Sequence, residues 1–248
     1  MRLKLISCEV FYREVCCTVA RSPHTVDVEF LPKGLHDLGG HRMRERIQAR
    51  LDSVEPGRYE ATLLGYGLCN NGLAGITAGA APLILPRSHD CIGLFLGSTR
   101  RYLEYFHACP GVYFQTTGWM ERSEKKEELT QLSIPRQMGM DADYESMVAR
   151  YGEENARYLY DTLCCHTRNY RQITFIEMGV EPDDRFEREA QALAEERGWS
   201  FEKLPGDLTL LRRLVDGPWE AAEFLVVPPG HRVIATGDEA IVAFEEVT

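Results

Sequence analysis

Short apolar runs alternate with amphipathic stretches along the first half of the chain. The apolar runs cover residues 2–7, 26–31, 60–65, 83–85 and 112–115. The first four end at glycine, proline or cysteine, which is typical of buried strands closed by turns. The stretches that follow them predict helices over 9–20, 41–53, 73–79 and 91–107. Strands and helices that alternate at this rhythm predict a parallel, doubly wound sheet.

The second half returns to this alternation after a longer helical stretch over 142–165. Strands are predicted over 173–176, 199–204 and 224–227, helices over 183–197 and 208–215, and a closing hairpin over 231–248. We therefore predict an α/β protein of two related three-layer lobes, with parallel Rossmann-like sheets and a small C-terminal hairpin. The predicted domains are a cysteine-bearing lobe (1–120), a helical connector (121–165) and a second lobe (166–248). Within the connector, the charged run 121–128 predicts an exposed helix.

Composition narrows the class of partner. The 248 residues carry a formal net charge of −10, which argues against a general nucleic-acid or anionic-membrane binder. The sequence contains no apolar run of the roughly 18 residues that a transmembrane helix needs. The apolar run at the start is too short for a signal peptide. We expect a cytoplasmic protein that acts on a small molecule.

Eight cysteines are the main candidates for chemistry, and three of them share a position relative to the predicted strands. Cys8, Cys69 and Cys91 each follow an apolar strand, either directly or after a short loop. Because the carboxyl ends of parallel strands meet at one edge of a sheet, we expect these three thiols to lie together. The others fall in or near predicted helices and are expected to pack, with the run Cys164-Cys165-His166 as a secondary candidate; they are Cys16, Cys17, Cys109, Cys164 and Cys165.

Three converging thiols predict a metal site. Thiolates bind zinc or iron strongly, and three ligands leave an open position for a substrate. Asp90 precedes Cys91 as a predicted helix cap, and a helix start favours the thiolate form of Cys91. We predict a site made of metal ligands (Cys8, Cys69, Cys91), groups that bind the cofactor or substrate (His36, Asn70, Asn71) and catalytic groups (Arg87, His89).

The same stretches resemble a known family, the domain-of-unknown-function family numbered 1638. The resemblance is carried by Leu31-Pro-Lys-Gly-Leu-His36, Leu64-Gly-Tyr-Gly-Leu-Cys-Asn-Asn-Gly-Leu73, Pro86-Arg-Ser-His-Asp-Cys-Ile-Gly-Leu-Phe-Leu-Gly-Ser98, Pro110-Gly-Val-Tyr113 and Gly118-Trp-Met-Glu121. Members of this family often occur in anaerobes that use corrinoid-dependent methyl transfer. The resemblance therefore implies a role near methyl-group chemistry, with a corrinoid protein as a partner.

Three hypotheses follow. The first is a zinc-dependent enzyme of methyl or thiol-group transfer, in which the metal acts as a Lewis acid on a small substrate. The second is an iron–sulfur protein, because three cysteines from separate loops can hold a cluster with one iron left open. The third is a non-catalytic accessory protein that binds a partner such as a corrinoid protein.

Overall fold

The computed structural model describes residues 1–123, 127–164 and 169–247, and within these ranges the chain forms an α/β fold with three sheets. The strands are β1 (Arg2–Cys8), β2 (Thr25–Leu31), β3 (Ala61–Gly65), β4 (Leu83–Pro86), β5 (Val112–Thr116), β6 (Gln172–Glu177), β7 (Ser200–Pro205), β8 (Phe224–Val227), β9 (His231–Ala235) and β10 (Val242–Glu246). The α-helices are α1 (Tyr12–Val19), α2 (Gly40–Asp52), α3 (Cys91–Phe95), α4 (Thr99–Ala108), α5 (Thr117–Glu121), α6 (Glu127–Leu132), α7 (Ile134–Gln137), α8 (Tyr144–Tyr151), α9 (Glu153–Leu163), α10 (Arg185–Arg197) and α11 (Thr209–Asp216). Two short 3-10 segments, Glu9–Phe11 and Lys33–Leu38, precede α1 and α2.

The main sheet has the strand order β2-β1-β3-β4-β8. Its first four strands are parallel, and β8 is antiparallel to β4. Consecutive apolar residues point to opposite faces of a strand, so Leu5 and Ile6 of β1 belong to different cores. Ile6 packs in the core that includes Met43 of α2, whereas Leu5 packs in the core that includes Leu211 of α11. Helices on both faces of a parallel sheet give a three-layer arrangement, which confirms the predicted α/β class.

The second sheet is parallel, with the order β5-β6-β7, and α10 covers one of its faces. Phe175 of β6 packs there with Phe186 and Ala190 of α10. Strands β9 and β10 form an antiparallel pair, as the predicted C-terminal hairpin requires.

The second sheet is built from one continuous stretch of chain. Its strands lie between residues 112 and 205, after α4 and before α11. The chain then returns to the main sheet, where α11 enters the core and β8 pairs with β4. The first-half strand β5 thus belongs to the second sheet, and the second-half strand β8 belongs to the main sheet. The domain boundaries at 120 and 165 stay a prediction.

The predicted helix over 73–79 is wrong. The segment instead pairs with β9, because Gly75 N donates to Val233 O (2.7 Å) and Val233 N donates to Ile76 O (2.8 Å). These backbone groups are taken by a strand that follows more than 150 residues later. The spacing of apolar residues within 73–79 is a local pattern, so it cannot indicate pairing with a distant strand.

Two predicted long helices are divided. The helix over 91–107 breaks between α3 and α4, where Gly97 has a φ of +69° and the Ser98 side chain caps Arg101 N. The helix over 142–165 breaks between α8 and α9 at Gly152, whose φ is +76°. Glycine adopts a positive φ without steric cost, so in both places it ends one helix and redirects the chain.

Some sequence features lie outside the described residues. Cys165 and His166 of the secondary candidate fall there, as do residues 124–126 of the charged run. In the part of the chain that the structure covers, no helix is long and apolar enough to cross a membrane.

Candidate active site

A cavity of about 720 Å³ lies where the carboxyl ends of the main-sheet strands face the second sheet. Its lining includes Cys8, the final residue of β1, and residues from the loops that follow β2, β3 and β4. The opposite wall comes from α4, β5 and α5, with aromatic side chains such as Tyr102, Phe114 and Trp119. Most of the predicted site residues line this one cavity; they are Cys8, His36, Asn70, Cys69, His89 and Cys91.

The loops that carry Cys69 and Cys91 are packed backbone to backbone. Leu68 N donates to Ser88 O (2.8 Å), and Cys69 N donates to His89 O (2.9 Å). Gly67 makes this approach possible, since a Cβ at this position would lie 2.6 Å from Asp90 Cα. The two cysteines are therefore held near each other by main-chain contacts and not only by the sheet.

The Cys69 loop turns through three successive residues in the left-handed region. Cys69, Asn70 and Asn71 have φ values of 39°, 54° and 59°, and Gly72 N closes the turn on Cys69 O (2.9 Å). Asparagine tolerates this conformation better than most residues, which explains the pair of asparagines. The structure leaves Asn71 exposed and outside the cavity lining, whereas Asn70 lines the cavity and donates to His36 O (3.3 Å).

Cys91 is the first residue of α3, and Asp90 caps that helix through Ile92 N (2.9 Å). The predicted cap is confirmed. The expected fall in the thiol pKa is not found: burial, and then the charges of Cys69 and Asp90, hold the pKa of Cys91 well above its usual value. The helix is only five residues long, so its dipole is small against the cost of burying an anion.

The three thiols share one electrostatic environment. The pKa of Cys8 is raised to about 12, chiefly by burial and also by the charges of Cys91 and Glu9, while the backbone of Val10 and the charge of Lys33 oppose the rise. Burial also raises the pKa of Cys69 to about 12, followed by the charge of Cys8. In the metal-free protein all three are therefore thiols at neutral pH. A bound cation would reverse this preference, because metal binding to sulfur displaces the proton.

The thiols share a cavity but are not arranged as a closed coordination shell. Among residues 1–123, 127–164 and 169–247, no group of three or more His, Cys, Asp and Glu side chains is placed to hold a metal ion. The chemistry of the three sulfurs still suits zinc, which prefers thiolate ligands.

His36 forms part of a polar group at the cavity wall. Its Nδ1 lies 2.5 Å from Lys33 O, its Nε2 lies 3.0 Å from Asp37 Oδ1, and its ring meets Trp119 edge-on at 5.3 Å. Burial lowers the pKa of His36, but the hydrogen bond and charge of Asp37 outweigh burial, so the pKa is raised. Both ring nitrogens have partners, so His36 fits a wall group better than a metal ligand.

The two predicted catalytic residues occupy different places in the structure. His89 is exposed and lines the cavity. Arg87 lies outside the cavity lining, and its guanidinium donates to three backbone carbonyls: Ala221 O (2.8 Å), Ala240 O (2.7 Å) and Val242 O. Arg87 therefore has a structural role, because its hydrogen bonds link β10 and the loop before β8 to the main sheet. The sequence alone does not show these contacts, because the carbonyl partners are distant in the chain.

Replacing Arg87 should therefore destabilise the fold. We expect Arg87→Met to lower the free energy of unfolding by about 2 kcal/mol, because it leaves carbonyl groups without their charged donor. Urea unfolding would measure this. The matched control is Arg100→Met, since the Arg100 side chain is 87% exposed and its contact to Glu104 is a surface pair. Equal stability of the two variants would contradict the structural role.

Sequence reasoning did not assign a function to Tyr66 or Lys33, although both line the cavity. Tyr66 stands between two glycines directly after a strand whose residues are all buried. The sequence does contain a signal for Tyr66, because a polar hydroxyl at the end of such an apolar run favours a role at a site.

Comparison with known proteins gives one match. A family model described as "Protein of unknown function (DUF1638)" matches residues 30–215, a range that includes Cys69 and Cys91 and begins after Cys8. Neither the curated proteins nor the solved structures contain a significant match. The matched range covers well over half of the 248 residues. The chain therefore belongs to the DUF1638 family.

Proposed function

We propose that Cys8, Cys69 and Cys91 form a thiolate site for zinc and that the protein acts on a small substrate held beside it. The observation that carries this proposal is that three cysteines, from three separate strand-end segments, line the same cavity of about 720 Å³. A volume of this size suits a small molecule. Three protein ligands would leave the fourth zinc position to the substrate.

Binding of the metal requires the thiols to draw together. Each cysteine side chain turns about a single bond, χ1, so a change of rotamer redirects its sulfur. Lys33 favours this change, because its positive charge lowers the pKa of the nearby Cys8 thiol. The buried surroundings then strengthen the attraction between the cation and the thiolates.

Bound zinc would supply Lewis acidity toward a thiol or another small substrate. The residues of the chain have supporting roles: the loop contacts through Gly67 keep Cys69 and Cys91 adjacent, and the aromatic wall shields the site from water. We propose methyl or thiol-group transfer as the reaction class. This choice rests on the family's association with methyl-transfer systems, as does a corrinoid protein as the partner.

Metal analysis of the anaerobically purified protein tests the proposal. We expect about one zinc ion per chain, and its loss in Cys8→Ser, Cys69→Ser and Cys91→Ser. The control is Cys16→Ser, because Cys16 is exposed on α1 and away from the cavity lining. Iron with acid-labile sulfide, lost in the same variants, would replace zinc by a cluster. A protein that contains no metal and binds no added Zn²⁺ would overturn the proposal.

A further inference from the structure

Tyr66 has a buried hydroxyl group without a partner. The residue is 3% exposed, it lines the cavity, and its Oη finds no hydrogen-bond partner among the described residues. Leaving a buried hydroxyl unpaired costs about 1–3 kcal/mol, a cost that phenylalanine would avoid in the same space. The described residues therefore offer this hydroxyl no acceptor.

The position of Tyr66 is fixed by its neighbours. A Cβ on Gly65 would collide with the Ser7 side chain, and a Cβ on Gly67 would collide with the backbone of Asp90. The backbone on both sides of Tyr66 is thus packed against other strand ends. The hydroxyl points from a rigid support, which is the condition for a precise contact with a ligand.

Tyr66 lines the same cavity as the three thiols. Burial raises the pKa of Tyr66 well above its usual value, and the charges of Cys8, Cys69 and Glu9 add to the rise. The hydroxyl donates to none of the three sulfurs in the structure. Tyr66 and the three thiols thus border the same cavity, which a ligand of the site would enter.

Lys33 provides a positive charge at the same cavity. Its Nζ donates to Trp119 O (2.6 Å) and lies 5.0 Å from the centre of the Trp119 ring. Burial lowers the pKa of Lys33, and the charges of Glu9, Asp37 and Cys8 oppose this shift. An ammonium group has three hydrogens, so donors remain for a ligand.

We propose that Tyr66 Oη and Lys33 Nζ together bind a small anionic ligand, such as a thiolate, beside Cys8, Cys69 and Cys91. Tyr66 donates a hydrogen bond to the ligand, and Lys33 balances its charge. This inference rests on the proposed function for the place of the ligand. Zinc with three thiolates carries one net negative charge, so a further anion enters a buried site only where a cation and a donor stabilise it.

Replacing zinc by cobalt allows ligand binding to be followed by absorption spectroscopy. The full chain loaded with Co²⁺ is titrated with azide and, separately, with imidazole, and the cobalt absorption bands report binding. Azide offers lone pairs to Tyr66 Oη, whereas imidazole bound through one nitrogen offers only an N–H donor. We expect Tyr66→Phe to weaken azide binding by about 10-fold or more and to leave imidazole binding unchanged. Lys33→Met should weaken azide binding as well.

The control is Tyr59→Phe, which makes the same change outside the cavity lining, at a hydroxyl that donates to Asp27 (2.7 Å). Its azide affinity should match that of the unmodified protein. Equal azide affinity in Tyr66→Phe and the unmodified protein would overturn the role of Tyr66 and leave the metal site standing. If the unmodified protein gives no sulfur-to-cobalt bands, the proposed function fails first, and this inference fails with it.

Unfolding of the metal-free protein gives a second readout. Tyr66→Phe should be at least as stable in urea as the unmodified protein, because it removes an unpaired buried hydroxyl. A clear loss of stability would assign the hydroxyl a structural partner and overturn the ligand role.

Discussion

Gly67→Ala is expected to lower the free energy of unfolding by about 3 kcal/mol and to separate the two cysteine loops. The added Cβ would lie 2.6 Å from Asp90 Cα and 2.7 Å from Asp90 O. These are backbone atoms, so no side-chain rotation relieves the overlap. The loops must move apart, and the bonds from Leu68 N to Ser88 O and from Cys69 N to His89 O must lengthen.

Urea unfolding and amide hydrogen exchange would check this expectation. The Leu68 and Cys69 amides should exchange slowly in the unmodified protein and much faster in Gly67→Ala. Gly79→Ala is the control, because no atom lies within 4 Å of a Cβ at Gly79 and its φ is not positive. Zinc binding should fall with Gly67→Ala and persist with Gly79→Ala. Slow exchange of both amides in Gly67→Ala would contradict the close packing of the loops.

Glu14→Gln should stabilise the protein by up to about 3 kcal/mol more at pH 8 than at pH 4.5. Glu14 lies on α1 with no exposed surface, and neither carboxylate oxygen has a hydrogen-bond partner among the described residues. Burial is the main cause that raises the pKa of Glu14 from 4.5 to about 7; the charge of Glu181 adds to the rise and Arg13 opposes it.

The direction of the pH effect follows from the raised pKa. The folded protein holds the Glu14 proton more tightly than the unfolded chain does, so this contribution to stability is fully present below pH 4.5. It is lost as the pH rises through about 7. Glutamine does not titrate, so the variant escapes the loss. Urea unfolding at several pH values measures the difference.

Glu104→Gln is the matched control for Glu14→Gln, because the Glu104 side chain is 69% exposed. Its effect on stability should be small at both pH values, because substitutions of exposed side chains cost little. A pH-independent effect of Glu14→Gln would show that the carboxyl group is not buried in its charged form.

Much of the fold can be predicted from local sequence patterns. The strand β8 has the predicted bounds 224–227, and β1 to β4 lie within a residue or two of theirs. Continuous apolar runs bounded by glycine and proline make such strands visible. The pairing of strands is less local. That β5 joins the second sheet and β8 the main sheet depends on contacts between distant segments, which spacing along the chain does not encode.

The candidate site could also be predicted only in part, because some of its properties depend on contacts between distant segments. The shared strand-end position of Cys8, Cys69 and Cys91 predicted their common cavity, because chain direction alone places parallel strand ends at one edge. The raised pKa of Cys91 was not predictable from its place at a helix start, since it depends on burial by residues from other segments. The carbonyl contacts of Arg87 were not predictable for the same reason, because their acceptors come from residues 221–242.

The return of the chain to the main sheet limits how the protein can be shortened. Helix α11 and strand β8 bury Leu210, Leu214 and Phe224 in the core beside the cysteine-bearing strands. A fragment that stops before them would expose this apolar surface and leave β4 as an open edge, which invites aggregation. The stretch from 112 to 205 cannot be removed on its own either, because Ile176 and Met178 are buried in the same core as Leu210. Its loss would also strip one wall from the cavity that the three thiols line.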